Sequence, residues 1–399
     1  MDIELIPGGT VTSPRGFKAG AAYAGINKHA RFNLDVGLLV SETPCAAAGV
    51  FTRNRIKAAP VLLCQKILPS RSVRAIVANS GCANASTGEN GQCDAVSMEA
   101  AAASKAGVDV GEVLVASTGV IGRRLPLDLL NAGIARIRLS ADGGHEMAMA
   151  IMTTDTTPKE IAVKAGGFVI GGIAKGSGMI HPDMATMLSF ITTDAPVDID
   201  FLGYALKQSA DRSFNMISVD GDTSPNDSVI ILANGLADGE IVRAGTARAA
   251  LFQEALDDVC IHLAKAVARD GEGATKLIEA GVSGALSQDD ARLAARAITN
   301  SPLVKSAIHG SDPNWGRIVA AAGRSGAQLV ENKLALEIGG IQVVEGGMPL
   351  PFDRDRLIEV LGRDEIFINL NLNLGCFAAT AWGCDLSAEY VAINSEYTT

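Results

Sequence analysis

The chain has 399 residues, of which 48% are hydrophobic and 20% charged, and a formal net charge of -10. That balance describes a folded, soluble protein with length for a large core divided over two or three domains, and it excludes a disordered chain. The excess of acid disfavours nucleic acid or an anionic membrane as a partner, and no run approaches the roughly 18 apolar residues of a membrane span.

At the start of the chain, Met1-Asp-Ile-Glu-Leu5 has no basic segment leading into an apolar one. No signal peptide is expected, and the expected location is cytoplasmic. Arg74-Ala-Ile-Val-Ala78 and Glu112-Val-Leu-Val-Ala116 predict strands, each entering a small, hydroxyl-rich turn. Phe168-Val-Ile170 predicts a third strand, leading into the glycine-rich run that begins at Lys175, and Met187 to Thr193 predicts the strand beyond it. Asp220-Gly-Asp-Thr-Ser-Pro-Asn-Asp227 is acidic but lacks the loop with a terminal glutamate that a calcium hand requires, so it reads as a turn or a wall of an active site.

From Thr246 to Arg269, Phe252, Leu256, Val259, Leu263 and Val267 recur at steps of three and four, which predicts a helix with one apolar face. Gly271 is a natural stop, leaving Glu272 in the loop beyond, where its carboxylate can point into a cleft. Ser287-Gln-Asp-Asp290 reads as the start of another helix. Ile366, Ile368, Leu370 and Leu372 alternate with Phe367, Asn369, Asn371 and Asn373, the period of a strand with unlike faces. Short strands alternating with amphipathic helices, in a chain with 43 glycines, predict layered α/β or α+β architecture. There is no internal repeat and no low-complexity linker.

Seven cysteines without a CxxC pair predict reduced, mostly buried thiols, Cys82 among them as a packed small side chain. The five histidines, His29, His145, His181, His262 and His309, form no HxxxH or HExxH pattern, so neither a metal site nor a cofactor is indicated.

The run Lys175-Gly-Ser-Gly-Met-Ile-His-Pro-Asp-Met-Ala-Thr-Met-Leu188 offers the layout of a self-cleaving nucleophile. Breaking the Ala185–Thr186 bond would give Thr186 a free α-amine beside its own hydroxyl, and that amine is the base the hydroxyl otherwise lacks. Ala185 is small and leaves its carbonyl open to attack. Thr118-Gly119, in a turn after a strand, supplies a hydroxyl and a glycine N–H suited to an oxyanion hole. On spacing alone, Thr186 reads as an ordinary strand threonine, Ser117-Thr-Gly119 as a turn and Lys175 as a solvated loop lysine.

The full set of motifs, in order, resembles the ornithine acetyltransferases, also called bifunctional glutamate N-acetyltransferases, of arginine biosynthesis. The resemblance spans essentially the whole chain. Its landmarks are Gly8-Gly-Thr-Val-Thr-Ser-Pro-Arg-Gly-Phe17, Asn79-Ser-Gly-Cys-Ala-Asn84, Ser117-Thr-Gly-Val-Ile-Gly122 and Met152-Thr-Thr-Asp-Thr156. Beyond the Lys175–Leu188 run come Arg269-Asp-Gly-Glu-Gly273, Ser311-Asp-Pro-Asn-Trp-Gly-Arg317 and the tail Asn394-Ser-Glu-Tyr-Thr-Thr399.

The resemblance implies two domains of helices packed on sheets, in a fold shared with self-processing aminopeptidases. It implies cleavage into an α chain of residues 1–185 and a β chain of residues 186–399, assembled as α2β2 or larger. It implies that Thr186 takes acetyl from N2-acetylornithine and gives it to glutamate. Thr118 and Gly119 would form the oxyanion hole, and Thr153, Lys175, Thr186, Glu272, Asn394 and Thr399 would bind substrate. Thr153 and Thr154 compete for one of these places, because both lie in one Thr-Thr-Asp-Thr run. Some family members also take acetyl from acetyl-CoA, and no residue here decides whether this chain does.

Three rival readings fit part of the chain. An aminopeptidase or amidase of the same fold would hand its acyl group to water. A phosphate-binding protein would use Gly171-Gly-Ile-Ala-Lys-Gly-Ser-Gly178, but the order Lys-Gly-Ser is not the Gly-Lys-Ser/Thr that opens a helix in a phosphate loop. A non-catalytic binding protein would keep the fold and never cleave itself.

Overall fold

The computed structural model describes residues 3–181 and 187–396. Its larger sheet is built from strands buried on both faces. In Ser228–Ala233, Val229 and Ile231 enter one hydrophobic core while Ile230 and Leu232 enter another, because successive side chains of a strand point to opposite faces.

Among the described residues this sheet has nine strands. Eight follow in the order Glu4–Leu5, Lys159–Ala165, Phe168–Lys175, Leu188–Thr193, Ser228–Ala233, Val36–Phe51, Ser70–Asn79 and Val113–Ser117. The ninth, Phe17–Ala22, pairs with Val36 to Ser41 of the long strand, and Ser228–Ala233 pairs with Ala46 to Phe51 of it. Leu188–Thr193 runs antiparallel to Phe168–Lys175, with Lys175 opposite Leu188, and parallel to Ser228–Ala233. Two strands from beyond residue 187 therefore lie between strands from the first 181 residues.

The second sheet has seven strands among the described residues, in the order Met348–Pro349, Ile341–Glu345, Ala335–Ile338, Glu365–Asn371, Leu277–Ala285, Phe377–Cys384 and Ile217–Ser218. In Glu365–Asn371 the expected alternation holds: Ile366, Ile368 and Leu370 are buried and Phe367 is exposed. The architecture is mixed α/β with two sheets. The Ala185–Thr186 bond does not separate them, since the larger sheet draws strands from both sides of it.

One helix joins the sheets. Ala247–Arg269 packs against Lys159–Ala165 and Phe168–Lys175 of the larger sheet, and against Phe377–Cys384 and Ile217–Ser218 of the smaller. Its start is set by Thr246, whose Oγ1 accepts the Ala249 N–H at 3.1 Å. Phe252, Leu256, Val259, Leu263 and Val267 are all fully buried, as their spacing predicted. The Phe252 ring lies 5.6 Å from that of Phe168 and 6.1 Å from that of Phe201.

The helix ends at Arg269 with Asp270 as its cap, and Gly271 does not adopt the left-handed conformation of a glycine stop. Gly271 serves close packing instead: a Cβ there would lie 2.6 Å from Cys384 Sγ. Gln288–Thr299 begins where the sequence indicated, with Ser287 Oγ accepting the Asp290 N–H at 3.1 Å. Glu112 falls in a short 3-10 turn, Val110–Glu112, so the strand predicted from it starts at Val113. Five cysteines are buried and two, Cys93 and Cys376, are exposed, and all seven are free thiols. No helix among the described residues is long and apolar enough to cross a membrane.

Phe252 is fully buried between Phe168 of the larger sheet and Phe201. Phe252→Ala should cost about 3–5 kcal/mol in chemical denaturation, whereas Tyr204→Ala, at a residue 60% exposed, should stay within about 0.5 kcal/mol.

Candidate active site

The cleft is assembled from the ends of the larger sheet, the loop after the bridging helix, and the C-terminal helix Ala388–Glu396. It has an empty volume of about 720 Å³ and is lined by Thr118, Gly119, Thr153, Thr154, Lys175 and Glu272, with Asn394 closing it. Every described residue proposed from the sequence for acyl transfer therefore meets in one place. Ala185, Thr186 and Thr399 lie outside the described residues.

Lys175 ends the strand Phe168–Lys175 and is 4% exposed. It is a buried lysine and not the solvated loop lysine that spacing suggested. Its Nζ donates to Thr153 Oγ1 at 3.2 Å. Thr154 Oγ1 instead pairs with Ser177 Oγ at 2.6 Å. Burial pushes the Lys175 ammonium below its usual range, opposed by the carboxylates of Asp155, Asp227 and Glu272, while the Lys159 cation adds to the depression.

The turn at Thr118-Gly119 is held by its neighbours. Thr118 spends its N–H on Asn79 O at 3.0 Å. Gly119 has φ +123°, and a Cβ there would lie 2.5 Å from the Gly81 carbonyl carbon, so no other residue fits this turn without moving the backbone. Asn226 locks the acidic loop onto it, with Nδ2 donating to Ala83 O at 2.6 Å and Ser117 O at 2.7 Å. Cys82 beside the turn is fully buried, and burial pushes its thiol up, which leaves it a packing residue.

Glu272 is 7% exposed, and its N–H donates to Ser177 O at 2.8 Å. A Cβ on Gly178 would lie 2.5 Å from the Glu272 carboxylate carbon, so any larger residue would push the Glu272 side chain out of this position. The tail returns to this point: Asn394 Nδ2 donates to Glu272 Oε2 at 2.7 Å. Gly273, at φ +67°, lets the start of the C-terminal helix approach, since a Cβ there would lie 2.6 Å from Tyr390 N.

Asp220, Asp222 and Asn226 come from the acidic run that the sequence marked as a turn or a wall of an active site, and Tyr390 escaped the sequence reading. Asp220 accepts the N–H groups of Met179 at 2.5 Å and Ile180 at 2.9 Å, and the Tyr390 hydroxyl at 3.4 Å. Burial raises the Asp220 carboxyl, and burial with the Asp220 and Glu272 charges raises the Tyr390 phenol. Asp222 and Asp220 line the cleft with Asn226, so the acidic loop is a wall of the site. Among the described residues, no group of side chains is arranged to hold a metal ion. The cleft is thus polarised, with the Lys175 amine at its base and the carboxylates of Asp220, Asp222 and Glu272 on its other lining residues.

Behind Lys175 lies a buried ion chain. Lys159 Nζ donates at 2.6 Å to both Asp155 Oδ1 and Asp270 Oδ2. Asp155 also accepts the Gly176 N–H at 2.6 Å and the Thr153 N–H at 3.0 Å. Burial opposes its ionisation, but the Lys159 and Lys175 cations and these hydrogen bonds prevail and hold the Asp155 carboxyl well below the usual carboxylate range.

The ArgJ family matches residues 18–399. The chain is 55% identical to the arginine biosynthesis bifunctional protein ArgJ of Dehalococcoides mccartyi over 401 residues, covering 100% of this chain and 99% of that one. It is 52% identical to the protein of the same description from Symbiobacterium thermophilum over 403 residues, covering both chains fully. It is also similar to the crystal structure of ArgJ from Bacillus halodurans, with 45% identity and a TM-score of 0.52, covering 53% of this chain and 100% of that chain. This chain belongs to the ArgJ family. Five of the segments that carried the resemblance in the sequence line the cleft: the turn at Thr118, the threonines at Thr153, the Lys175 corner, the Glu272 loop and the Asn394 tail.

The ion chain has a signed pH dependence. A folded-state carboxyl held below its unfolded value gives stability that is present above the unfolded pKa, about 3.9 for Asp, and lost as pH falls through the folded pKa. Asp155→Asn should therefore reduce the stability lost on acidification below about pH 4. Lys159→Met strands two buried carboxylates and should cost about 3–5 kcal/mol in denaturant titration at neutral pH.

Proposed function

We propose that this chain is a self-processing acetyltransferase that moves acetyl from N2-acetylornithine to glutamate through an ester on Thr186. The observation that carries the reading is the meeting of Thr118, Gly119, Thr153, Lys175, Glu272 and Asn394 on one cleft, at the base of the connection that contains Thr186. Membership of a family of arginine biosynthesis bifunctional proteins supports the substrates.

Self-cleavage comes first. The Thr186 hydroxyl attacks the Ala185 carbonyl carbon, the acyl group moves from nitrogen to oxygen, and water hydrolyses the ester. The new α-amine has a reference pKa of about 7.7–8.0, suited to a base at neutral pH. The Lys175 cation would favour the neutral form of this amine. In turnover, the Thr186 hydroxyl attacks the acetyl carbonyl of N2-acetylornithine, and the Thr118 hydroxyl with the Gly119 N–H receives the developing oxyanion. Such a donor is worth about 100- to 1,000-fold in rate.

Ornithine leaves, and glutamate takes acetyl from the ester. Lys175 suits a substrate carboxylate and Glu272 a substrate ammonium. Its contact with Lys175 favours Thr153 over Thr154 as the binding threonine. The relatives' description as bifunctional fits acetyl-CoA as a second donor to the same hydroxyl. The two pieces, residues 1–185 and 186–399, stay associated because their strands interleave in one sheet, and pairs of such units would form the α2β2 assembly.

Denaturing mass spectrometry should find two fragments divided at Ala185–Thr186 in the wild type and an intact chain in Thr186→Ala. An intact wild type that still transfers acetyl to glutamate would contradict the free-amine mechanism. Asn394→Ala should raise KM for N2-acetylornithine about tenfold, the worth of one hydrogen bond to a charged group, while self-cleavage proceeds as before. An unchanged KM would remove the tail from the binding site.

A further inference from the structure

The landmark run that begins at Ser311 supplies no group to the cleft, yet it closes a second network of buried polar groups. Lys276, shortly after Glu272, is buried. Its Nζ donates to Ile308 O at 2.8 Å, to Ser311 Oγ at 2.8 Å and to Leu361 O at 2.6 Å. These bonds fix the end of the helix Pro302–His309 beside the entry to the strand Leu277–Ala285. The same helix grips the stretch that leads into the tail. Lys305 Nζ donates to Cys384 O, and the Leu386 N–H donates to Lys305 O at 3.3 Å. His309 Nδ1 lies 2.7 Å from Asp385 Oδ2, and it carries the proton of that bond, because an ionised carboxylate only accepts.

These bonds converge on Asp385. It is 2% exposed, follows the strand Phe377–Cys384 and precedes the helix Ala388–Glu396, whose Tyr390 and Asn394 line the cleft. Its Oδ1 accepts the N–H groups of Thr275 and Lys276, both at 2.8 Å. Its Oδ2 accepts the Thr275 hydroxyl at 2.7 Å besides the imidazole. Burial opposes ionisation, but the hydrogen bonds from Thr275, His309 and the Lys276 N–H prevail and hold the Asp385 carboxyl below the usual range. One carboxylate thus joins the loop after Glu272 to the root of the tail helix. Ser387 extends the seam, its Oγ donating to Gly273 O at 2.6 Å. Asp385 and His309 lie outside the lining of the cleft.

We propose that Asp385, oriented by His309, is a positioning residue for substrate binding, setting the tail helix against the Glu272 loop so that Asn394 meets Glu272 at 2.7 Å. This rests on the cleft binding N2-acetylornithine. Charge-assisted hydrogen bonds are the strong ones, and four of them leave the root of the tail one position to occupy. Removing the imidazole leaves Oδ2 with the Thr275 hydroxyl alone. A buried charge short of donors is costly, so the root shifts toward water and carries Asn394 with it. The loss falls on binding and not on chemistry, because the tail holds substrate and forms no bond to the acetyl group. The His309 side chain is 40% exposed, so its removal leaves the packed core intact.

The test measures acetyl transfer from N2-acetylornithine to glutamate, and amide hydrogen exchange of residues 388–396 by mass spectrometry. His309→Ala should raise KM for N2-acetylornithine about five- to tenfold, the worth of a hydrogen bond to a charged group, with kcat held within about twofold. Exchange in the tail helix should quicken about tenfold while Ala247–Arg269 exchanges as before. His309→Asn puts an amide N–H where the imidazole Nδ1–H stood and should return both readings to within about twofold of wild type. Both changes act through one contact, so His309→Ala combined with Asn394→Ala should exceed the worse single variant by no more than about twofold in KM. Effects that multiply in the double variant overturn the proposal. So does an unchanged KM in His309→Ala, or a loss that His309→Asn does not recover. Should His309→Ala not unfold cooperatively, Thr275→Val, which removes the other donor to Oδ2, decides by the same two readings, and unchanged values overturn the proposal. A wild type that transfers no acetyl sinks the substrate reading instead. Exchange of the tail helix then decides the positioning alone, supporting it if faster in His309→Ala and overturning it if unchanged.

Discussion

Asp155 is buried, and its oxygens are shared among the Lys159 ammonium, the Gly176 N–H and the Thr153 N–H. A carboxylate removed from water is tolerated only with such partners. Each of these partners belongs to a different part of the site. Thr153 carries the hydroxyl that receives the Lys175 amine, and Gly176 turns the chain out of the Lys175 strand. Lys159 reaches on to Asp270, the cap of the bridging helix, two residues before Glu272. One buried charge thus sets the relative positions of the cleft's cation, a threonine beside it and its carboxylate wall.

A break at the bond proposed above would leave the strands of the fold paired. Leu188–Thr193 and Ser228–Ala233 lie inside the larger sheet, flanked by strands from before residue 181. Cutting between them and Phe168–Lys175 removes no strand from its neighbours. Polarisation then suits the substrates, because an amino acid bearing a second ammonium presents opposite charges at its two ends.

Much of this was legible in the sequence where one residue type has one physical meaning. The helix from Thr246 shows itself through its apolar spacing and its capping hydroxyl, and the strand around Ile368 through strict alternation. Ser228–Ala233 is apolar on both faces and so lacks the alternation that would have revealed it. The turn at Thr118, the Lys175 corner and Glu272 stood out by family likeness, and the structure gathers them into one cleft. Lys175 as a buried lysine was not readable, because burial is decided by distant partners such as Asp155. Asp220, Asp227 and Tyr390 were hidden for the same reason. In sequence the first two are acids in a polar turn, and only folding turns them toward Met179, Met187 and the returning tail. The acidity of that turn was the available signal, and it pointed only to a wall.

The proposed reaction turns on acetyl resting covalently on Thr186 between donor and acceptor. The most direct measurement incubates the mature enzyme with N2-acetylornithine in the absence of glutamate, quenches in acid and weighs the fragment 186–399, with peptide mapping to locate any added mass. A gain of one acetyl group on Thr186 is expected, disappearing when glutamate is added, with N-acetylglutamate formed in equal amount. An unmodified fragment under conditions of full turnover, or acetyl carried on any other residue, would contradict it.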